Sequence, residues 1–317
     1  MTPYLVTGGA GFIGSHLVHT LVEKGHRVRV LDNCSTGSRG NLHSVLPHIE
    51  WIEGDIRDRQ ILVKAVDGVE VIFHQAALAS VTRSLEDPAT SHEVNATGTL
   101  LLLEAARRAR VRRVVYASSS SIYGDTPTLP KMEEMTPQPK SPYAVSKFTG
   151  EQYCQVFAKT FDLETVCLRY FNVFGPRQDP HSPYAAVIPR FLSALLRKER
   201  PQVFGDGTQT RDFTSVQDVV EANLLAADAP AAAGEVLNIA CGKRHSLLEL
   251  VDTLNTILGT SLSPLFTDPR PGDILHSQAS IAKAERLLRY HPRVDVDRKS
   301  TRLNSSHIQK SRMPSSA

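Results

Sequence analysis

Short, almost wholly apolar runs recur along the first 170 residues, separated by stretches whose apolar positions fall at helical spacing. Tyr4–Thr7, Arg27–Leu31, Ile49–Ile52, Val69–Phe73, Arg113–Ser118 and Thr165–Tyr170 read as strands. Leu17, Leu21 and Val22, or Leu100, Leu103 and Ala106, mark the buried faces of helices between them. Strands apolar on both faces belong to a sheet covered on both sides, and the β–α alternation makes that sheet parallel and right-handed. The expected fold is therefore α/β, a doubly wound parallel sheet. Past residue 175 the pattern changes. Pro176, Pro180, Pro183 and Pro189 break the chain into turns. A helix over Ile188–Lys198, a strand over Val236–Ile239 and an amphipathic helix over Leu247–Leu258 follow. This predicts a nucleotide-binding domain over 1–175 and a smaller C-terminal α/β lobe over 176–296, interleaved with the sheet. A ligand would lie between them, outside the carboxyl ends of the strands.

Composition narrows the class. The 317 residues are 41% hydrophobic and 22% charged, with no apolar run near the roughly 18 to 20 residues that span a bilayer. The chain begins almost directly with the strand-like Tyr4-Leu5-Val6, which leaves no room for a leader. Together these point to a cytoplasmic protein acting away from membranes. Cys34, Cys154, Cys167 and Cys241 are widely spaced, which argues against a metal site or a disulfide framework. The net charge is +3, but Arg298, Lys299, Arg302, Lys310 and Arg312 stand at the end without an acid. Removing those five leaves −2 for residues 1–297, so no nucleic-acid surface is expected. Residues 297–317 read as a polar tail foreign to the fold, or otherwise as a basic docking arm.

Directly after the first strand stands Thr7-Gly8-Gly9-Ala10-Gly11-Phe12-Ile13-Gly14, and a helix follows. Glycines are needed where a tight turn brings the backbone against a pyrophosphate, and the helix N-terminus offers the phosphates free N–H groups and a positive dipole end. The strand–turn–helix context makes this a Rossmann dinucleotide site built on Gly8, Gly11, Phe12, Ile13 and Gly14. Asp32 ends the second strand, 18 residues beyond Gly14. Its carboxylate suits ribose hydroxyls and repels a 2′-phosphate, and Asn33 rather than an arginine follows, so NAD is expected over NADP. Asp55 and Ile56 after the third strand fall near the adenine. Gln75, Ala76 and Ala77 after the fourth line the cofactor with backbone and small side chains.

Two segments carry chemistry. Ser118-Ser119-Ser120-Ser121 closes the fifth strand, and Tyr143-Ala144-Val145-Ser146-Lys147 places a phenol and an ammonium four apart on one helix face. Lys147 beside Tyr143 is expected to lower the phenol's pKa from about 10, making it a general base for a sugar hydroxyl that Ser119 helps to hold. These motifs resemble the extended short-chain dehydrogenases of sugar-nucleotide metabolism. So do Leu168–Gly175, Thr210-Arg211-Asp212-Phe213 and Arg270-Pro271-Gly272-Asp273, and the resemblance runs from residue 3 to about 292. It implies catalysis by Ser119, Tyr143 and Lys147, with Tyr143 and Lys147 also against the cofactor. It further implies UDP contacts from Asn172, Arg211, Arg270 and Asp273, and substrate contacts from Ser80, Ser119, Ser120, Ser121, Tyr143 and Val187.

Dehydrating or decarboxylating relatives carry an acid just after the serine position, whereas this chain has Ser120 and Ser121. It is thus similar to the 4-epimerases, in which C4 loses a proton and a hydride and regains them on the opposite face while NAD is regenerated. Leu78–Ser84, Leu129-Pro130-Lys131 and Arg177-Gln178-Asp179-Pro180 resemble the UDP-N-acetylglucosamine branch. The small Ser277 stands where a bulky residue can close the pocket beside C2. N-acetylated UDP-hexoses are therefore favoured, with UDP-glucose and UDP-galactose also expected to turn over. The rival readings are a dehydratase or reductase, a UDP-glucuronate 4-epimerase and a non-catalytic NAD-binding protein. The family's pairing through helices here at 94–109 and 141–161 implies a homodimer. One departure is that the final amphipathic helix usual after the Leu287–Pro292 region is replaced by the polar tail.

Overall fold

A computed structural model describes residues 3–178, 186–269 and 275–294. Six strands come early: β1 (Tyr4–Thr7), β2 (Val28–Asp32), β3 (Ile49–Glu53), β4 (Val71–His74), β5 (Arg113–Ser119) and β6 (Glu164–Tyr170). Short strands β7 (Val173–Phe174), β8 (Gln202–Phe204), β9 (Thr210–Arg211) and β10 (Thr214–Ser215) follow, then β11 (Val236–Ile239), β12 (His245–Ser246) and β13 (Leu265–Thr267). The main sheet is wholly parallel, in the order β11-β6-β5-β4-β1-β2-β3. The winding direction reverses between β1 and β4, where a doubly wound sheet opens its ligand crevice.

The strand expectations stand to within one or two residues, and the parallel, doubly covered sheet is the expected one. Helices α1 (Phe12–Glu23) and α8 (Val216–Asp228) cover one face, joined by α10 (Ala282–Leu288). Helices α2 (Arg59–Val66), α5 (Gly98–Arg108) and α6 (Pro142–Thr160) cover the other. The short α3 (Val81–Glu86) and α4 (Pro88–His92) lead into α5 through one wide turn over Glu93–Thr97. A separate core beneath α7 (Val187–Leu196) and α9 (Leu247–Leu258) gathers Phe174, Phe191, Val203, Phe213 and Leu250. That core is the small lobe, and three two-stranded pairings fasten it: β7 with β10, β8 with β13, and β9 with β12.

One placement differs from the periodicity reading. Val236–Ile239 is no lobe strand but the edge of the main sheet, paired with Cys167–Tyr170. Its four residues are buried, as a strand covered on both faces requires. Residues 270–274 and 295–317, and with them Arg270, Asp273 and the polar tail, lie outside the described residues.

Candidate active site

The turn after β1 is shaped by close contact. Gly8 has φ +67°, and a Cβ there would lie 2.6 Å from the Ala76 nitrogen. A Cβ on Gly14 would lie 2.1 Å from the Gly8 carbonyl oxygen, so α1 is seated directly on the turn. Only glycine satisfies both constraints. Asp32 ends β2 beside this turn, 8% exposed, with the Ala10 N–H donating to one carboxylate oxygen at 2.9 Å and the Cys34 N–H to the other at 2.7 Å. These bonds fix the carboxylate, and among the described residues no cationic side chain pairs with it. Such a glycine cradle with a held carboxylate beside it fits a dinucleotide carrying free ribose hydroxyls.

Around the turn several expected contacts are bound up in the protein itself. Asp55 is forked by Arg57, with Arg57 Nε and Nη2 donating at 2.9 and 2.8 Å, and it accepts from Asn33 Nδ2 at 3.0 Å. The Arg57 hydrogen bond, ahead of other causes, holds its carboxyl below the usual range. Ile56 is buried against Gly98 at the start of α5. The Gln75 side chain turns inward and donates to Asn223 Oδ1 at 2.9 Å and the Tyr170 hydroxyl at 3.2 Å. It is therefore the backbone of the Gln75–Ala77 segment, with the small side chains of Ala76 and Ala77, that borders the crevice. Ala76 packs against Gly8.

The second half of the site comes from β5 and α6. Ser141 caps α6 by accepting from the Ala144 N–H, and Pro142 opens the first turn, the combination that starts a helix sharply. Tyr143 thus stands in the first turn, where the positive end of the helix dipole favours a phenolate. Ser119 is the last residue of β5. Its Oγ lies 2.9 Å from Ser121 Oγ and accepts from the Ser121 N–H at 3.2 Å; burial raises the pKa of the Tyr143 phenol, and the nearby Ser119 hydroxyl opposes that rise. Ser120 lies in the same short helical turn, partly exposed.

Lys147 reaches from α6 to β5. Its Nζ donates to the Ala117 carbonyl at 2.8 Å and stands 5.0 Å over the Tyr116 ring. Burial pushes its pKa down to about 7. The Tyr143 phenol is buried beside it. Desolvation has made Lys147 itself a group that titrates near neutrality.

A buried polar chain, missed in the sequence, ties the two halves together. The Ala76 N–H donates to Thr7 Oγ1 at 3.3 Å, Thr7 Oγ1 lies 2.7 Å from His74 Nδ1, and His74 Nε2 lies 2.9 Å from Thr99 Oγ1. Thr99 donates its own proton to the Asn95 carbonyl at 2.6 Å. His74 Nε2 must then carry the hydrogen and Nδ1 must accept from Thr7, which makes the ring neutral. Burial agrees, pushing His74 down to about 3. Asn95 holds the Leu78 backbone on both sides, at 2.8 and 3.2 Å, and donates to Ser146 of α6 at 3.1 Å. The sequence signal was Asn95, Thr97, Gly98 and Thr99 close together inside a helix, four weak helix formers where the helix opens into a wide turn.

On the lobe side, Asn172 has φ +34° and donates to the Asp212 carbonyl at 3.0 Å. Arg211 donates to the Thr210 carbonyl at 3.0 Å. Ser277 is buried and its N–H donates to the Thr210 carbonyl at 3.0 Å. Ser80 caps α3 by accepting from the Arg83 N–H at 3.1 Å, and Val187 opens α7 against the lobe core.

This architecture has relatives. The model of the NAD dependent epimerase/dehydratase family matches residues 4–240. The chain belongs to that family. The UDP-glucose 4-epimerase of Mycolicibacterium smegmatis is 42% identical over 294 residues, 92% of this chain and 93% of its own length. Among solved structures, the UDP-N-acetylglucosamine 4-epimerase of Methanobrevibacter ruminantium, in complex with UDP-N-acetylmuramic acid, superposes with TM-score 0.91 at 37% identity. It covers 98% of this chain and 99% of that one. The UDP-glucuronic acid 4-epimerase of Bacillus cereus, with UDP-glucuronic acid and NAD, superposes at 0.89 with 33% identity over 97% and 99% of the two chains. NAD is the cofactor of this family member, and the glycine cradle and Asp32 are the features of this chain that fit it.

Proposed function

We propose that this chain epimerises C4 of a UDP-hexose, with UDP-N-acetylglucosamine and UDP-N-acetylgalactosamine its preferred pair. The observation that carries the reading is Ser119 at the carboxyl end of β5 with its hydroxyl acting on the Tyr143 phenol, Lys147 behind them on the Ala117 carbonyl, and no acid at Ser120 or Ser121. The buried carboxylate of Glu151, two turns further along α6 than Tyr143, is committed to Arg169 at 2.6 Å and to the Ser118 hydroxyl at 2.8 Å. It is not available for the additional proton transfer of an elimination.

Bound NAD supplies the acceptor and donor of the hydride at C4. Tyr143 takes the C4 hydroxyl proton, Ser119 holds that oxygen in line, and Tyr143 returns the proton once the 4-keto sugar has presented its other face. Lys147, poised near neutrality, supports the phenolate by donating when protonated, and the helix N-terminus adds to that support. The cofactor is held by Gly8, Gly11, Phe12, Ile13, Gly14, Asp32, Asn33, Asp55, Ile56 and the 75–77 backbone. The substrate is met by Ser80, Ser119, Ser120, Ser121, Asn172, Val187, Arg211 and Ser277, with Arg270 and Asp273 from outside the described residues. The domain division at residue 175 is kept in this reading, with α8 and β11 returning to the sheet.

Small Ser277 favours an N-acetyl group beside C2. The chain acts in the cytoplasm as a homodimer paired through 94–109 and 141–161. Val145 and Val156, 45% and 49% exposed along α6, suit that face, and a monomer by light scattering would overturn the pairing. Among the described residues no helix is long and apolar enough to cross a membrane. The test is proton NMR of the anomeric signals of UDP-N-acetylglucosamine incubated with purified protein and no added NAD. Growth of the UDP-N-acetylgalactosamine signal to equilibrium supports the reading. Turnover of UDP-glucose or UDP-glucuronate alone would move the substrate assignment, and a 4-keto-6-deoxy product would replace epimerisation by dehydration.

A further inference from the structure

We infer that Asp212 is a positioning residue that clasps the substrate-side wall of the site by binding three backbone amides from two separate segments. It follows β9 directly and is fully buried. One carboxylate oxygen accepts from the Cys241 N–H at 2.9 Å. The other accepts from the Gly242 N–H and the Ala279 N–H, both at 3.1 Å. Cys241 and Gly242 lie in the turn that carries the chain from β11 back to β12, whose His245 pairs with Arg211. Ala279 lies two residues past Ser277. Ser277 is therefore pinned on both sides, by its own N–H on the Thr210 carbonyl and by the Ala279 N–H on Asp212. Gln278 closes the loop by donating to the Gly242 carbonyl at 2.9 Å. The Asp212 carbonyl in turn accepts from Asn172.

A buried carboxylate is a costly way to hold a turn. That cost shows in its carboxyl, which burial pushes up to about 6 against the pull of the three amides. What it provides is two acceptor oxygens for donors arriving from two directions. An asparagine has one oxygen, and would set its NH2 group against an amide N–H. Neither segment alone needs a charge. Joining them at β9, with Asn172 one bond away, Arg211 one residue away and Ser277 two residues from the bonded Ala279, does. The inference rests on the reading of those three residues as UDP-sugar contacts, and it adds that their spacing is set by one side chain that does not touch substrate.

Asp212→Asn tests it. The Kd for UDP and the KM for both UDP-hexoses should rise on the order of tenfold or more. The NAD bound per chain should stay at the wild-type level, and kcat should fall by no more than roughly threefold, since Ser119 and Tyr143 lie on β5 and α6. Preference between N-acetylated and plain UDP-hexoses should flatten as Ser277 loses its anchor. Unchanged KM and Kd, or a fall in kcat with KM intact, would overturn the clasp. Should the variant fail to fold, hydrogen exchange on the wild type decides. The Cys241, Gly242 and Ala279 amides should be protected on the order of a hundredfold over that of exposed Arg244, and equal exchange would overturn the clasp. The exchange and UDP measurements need no turnover, so they stand apart from the choice of reaction.

Discussion

Glu151 of α6 and Arg169 of β6 form an ion pair whose side chains are 1% and 3% exposed, at 2.6 Å. A second bond joins Arg169 Nε to the carboxylate at 3.0 Å, and the Ser118 hydroxyl donates to it at 2.8 Å. Were this pair on the surface, its removal would cost at most about 1 kcal/mol. Buried, the carboxylate's loss leaves a guanidinium with the Tyr123 ring at 4.7 Å and the Glu133 carbonyl at 3.4 Å as its remaining partners. Glu151→Leu should then cost about 3–5 kcal/mol, a large share of the roughly 5–15 kcal/mol that holds a domain. The assay is equilibrium urea unfolding at fixed protein concentration and saturating NAD. If desolvated charge is the cause, removing the unit together should recover most of the loss. The variant E151L/R169M/S118A should return to within about 2 kcal/mol of wild type or exceed it. A Glu151→Leu cost below about 1 kcal/mol, or a triple variant as unstable as the single, would refute the reasoning. Activity should follow the same order, because the pair fixes α6, and with it Tyr143, against β5.

Three further outcomes follow from the site. Burial pushes His74 down to about 3 and His16 to about 4, while an unfolded histidine titrates near 6.5, so the unfolded chain binds more protons as pH falls below about 6.5. The stability from these neutral rings is present above about 6.5 and is lost as pH falls, at up to about 1.4 kcal/mol per pH unit for each ring. His74→Gln should flatten the slope measured by urea unfolding between pH 6.5 and 4.5, and an unaltered slope would contradict the assignment. Asp32→Ser should weaken NAD binding by on the order of tenfold to a hundredfold, judged by cofactor retained after dialysis; full retention would remove Asp32 from the cofactor site. Ser277→Tyr should lower kcat/KM for UDP-N-acetylglucosamine by about 1–3 kcal/mol relative to UDP-glucose, and an equal effect on both would detach Ser277 from C2 selectivity.

Local pattern carried most of the sheet into view, because strands buried on both faces leave short apolar runs that nothing else in the chain imitates. It misplaced Val236–Ile239, since partner choice across some 65 residues leaves no trace in periodicity. The glycine turn, Asp32, Ser119 and Tyr143 stood out as candidates because each chemistry demands a particular residue at a particular spacing. The partners that tune them were not. Four-residue spacing placed Lys147 beside Tyr143, yet its Nζ reaches the Ala117 carbonyl one strand away. His74 ends a buried strand with no local sign that its two ring nitrogens meet Thr7 and Thr99. Asp212 stood inside a recognised motif with no role, for its three donors come from 29, 30 and 67 residues further on. Buried polar partners depend on tertiary neighbours, and a single sequence does not list those neighbours.

The most direct test follows the hydrogen at C4. A UDP-hexose carrying deuterium at C4 is incubated in ordinary water with wild-type protein and with Tyr143→Phe, and the epimer is read by NMR and mass spectrometry. Hydride transfer within the site predicts that the epimer keeps its deuterium at C4. It also predicts that Tyr143→Phe loses on the order of a hundredfold or more in rate while still retaining NAD. Deuterium washed out to solvent, or a Tyr143→Phe variant as fast as wild type, would contradict it.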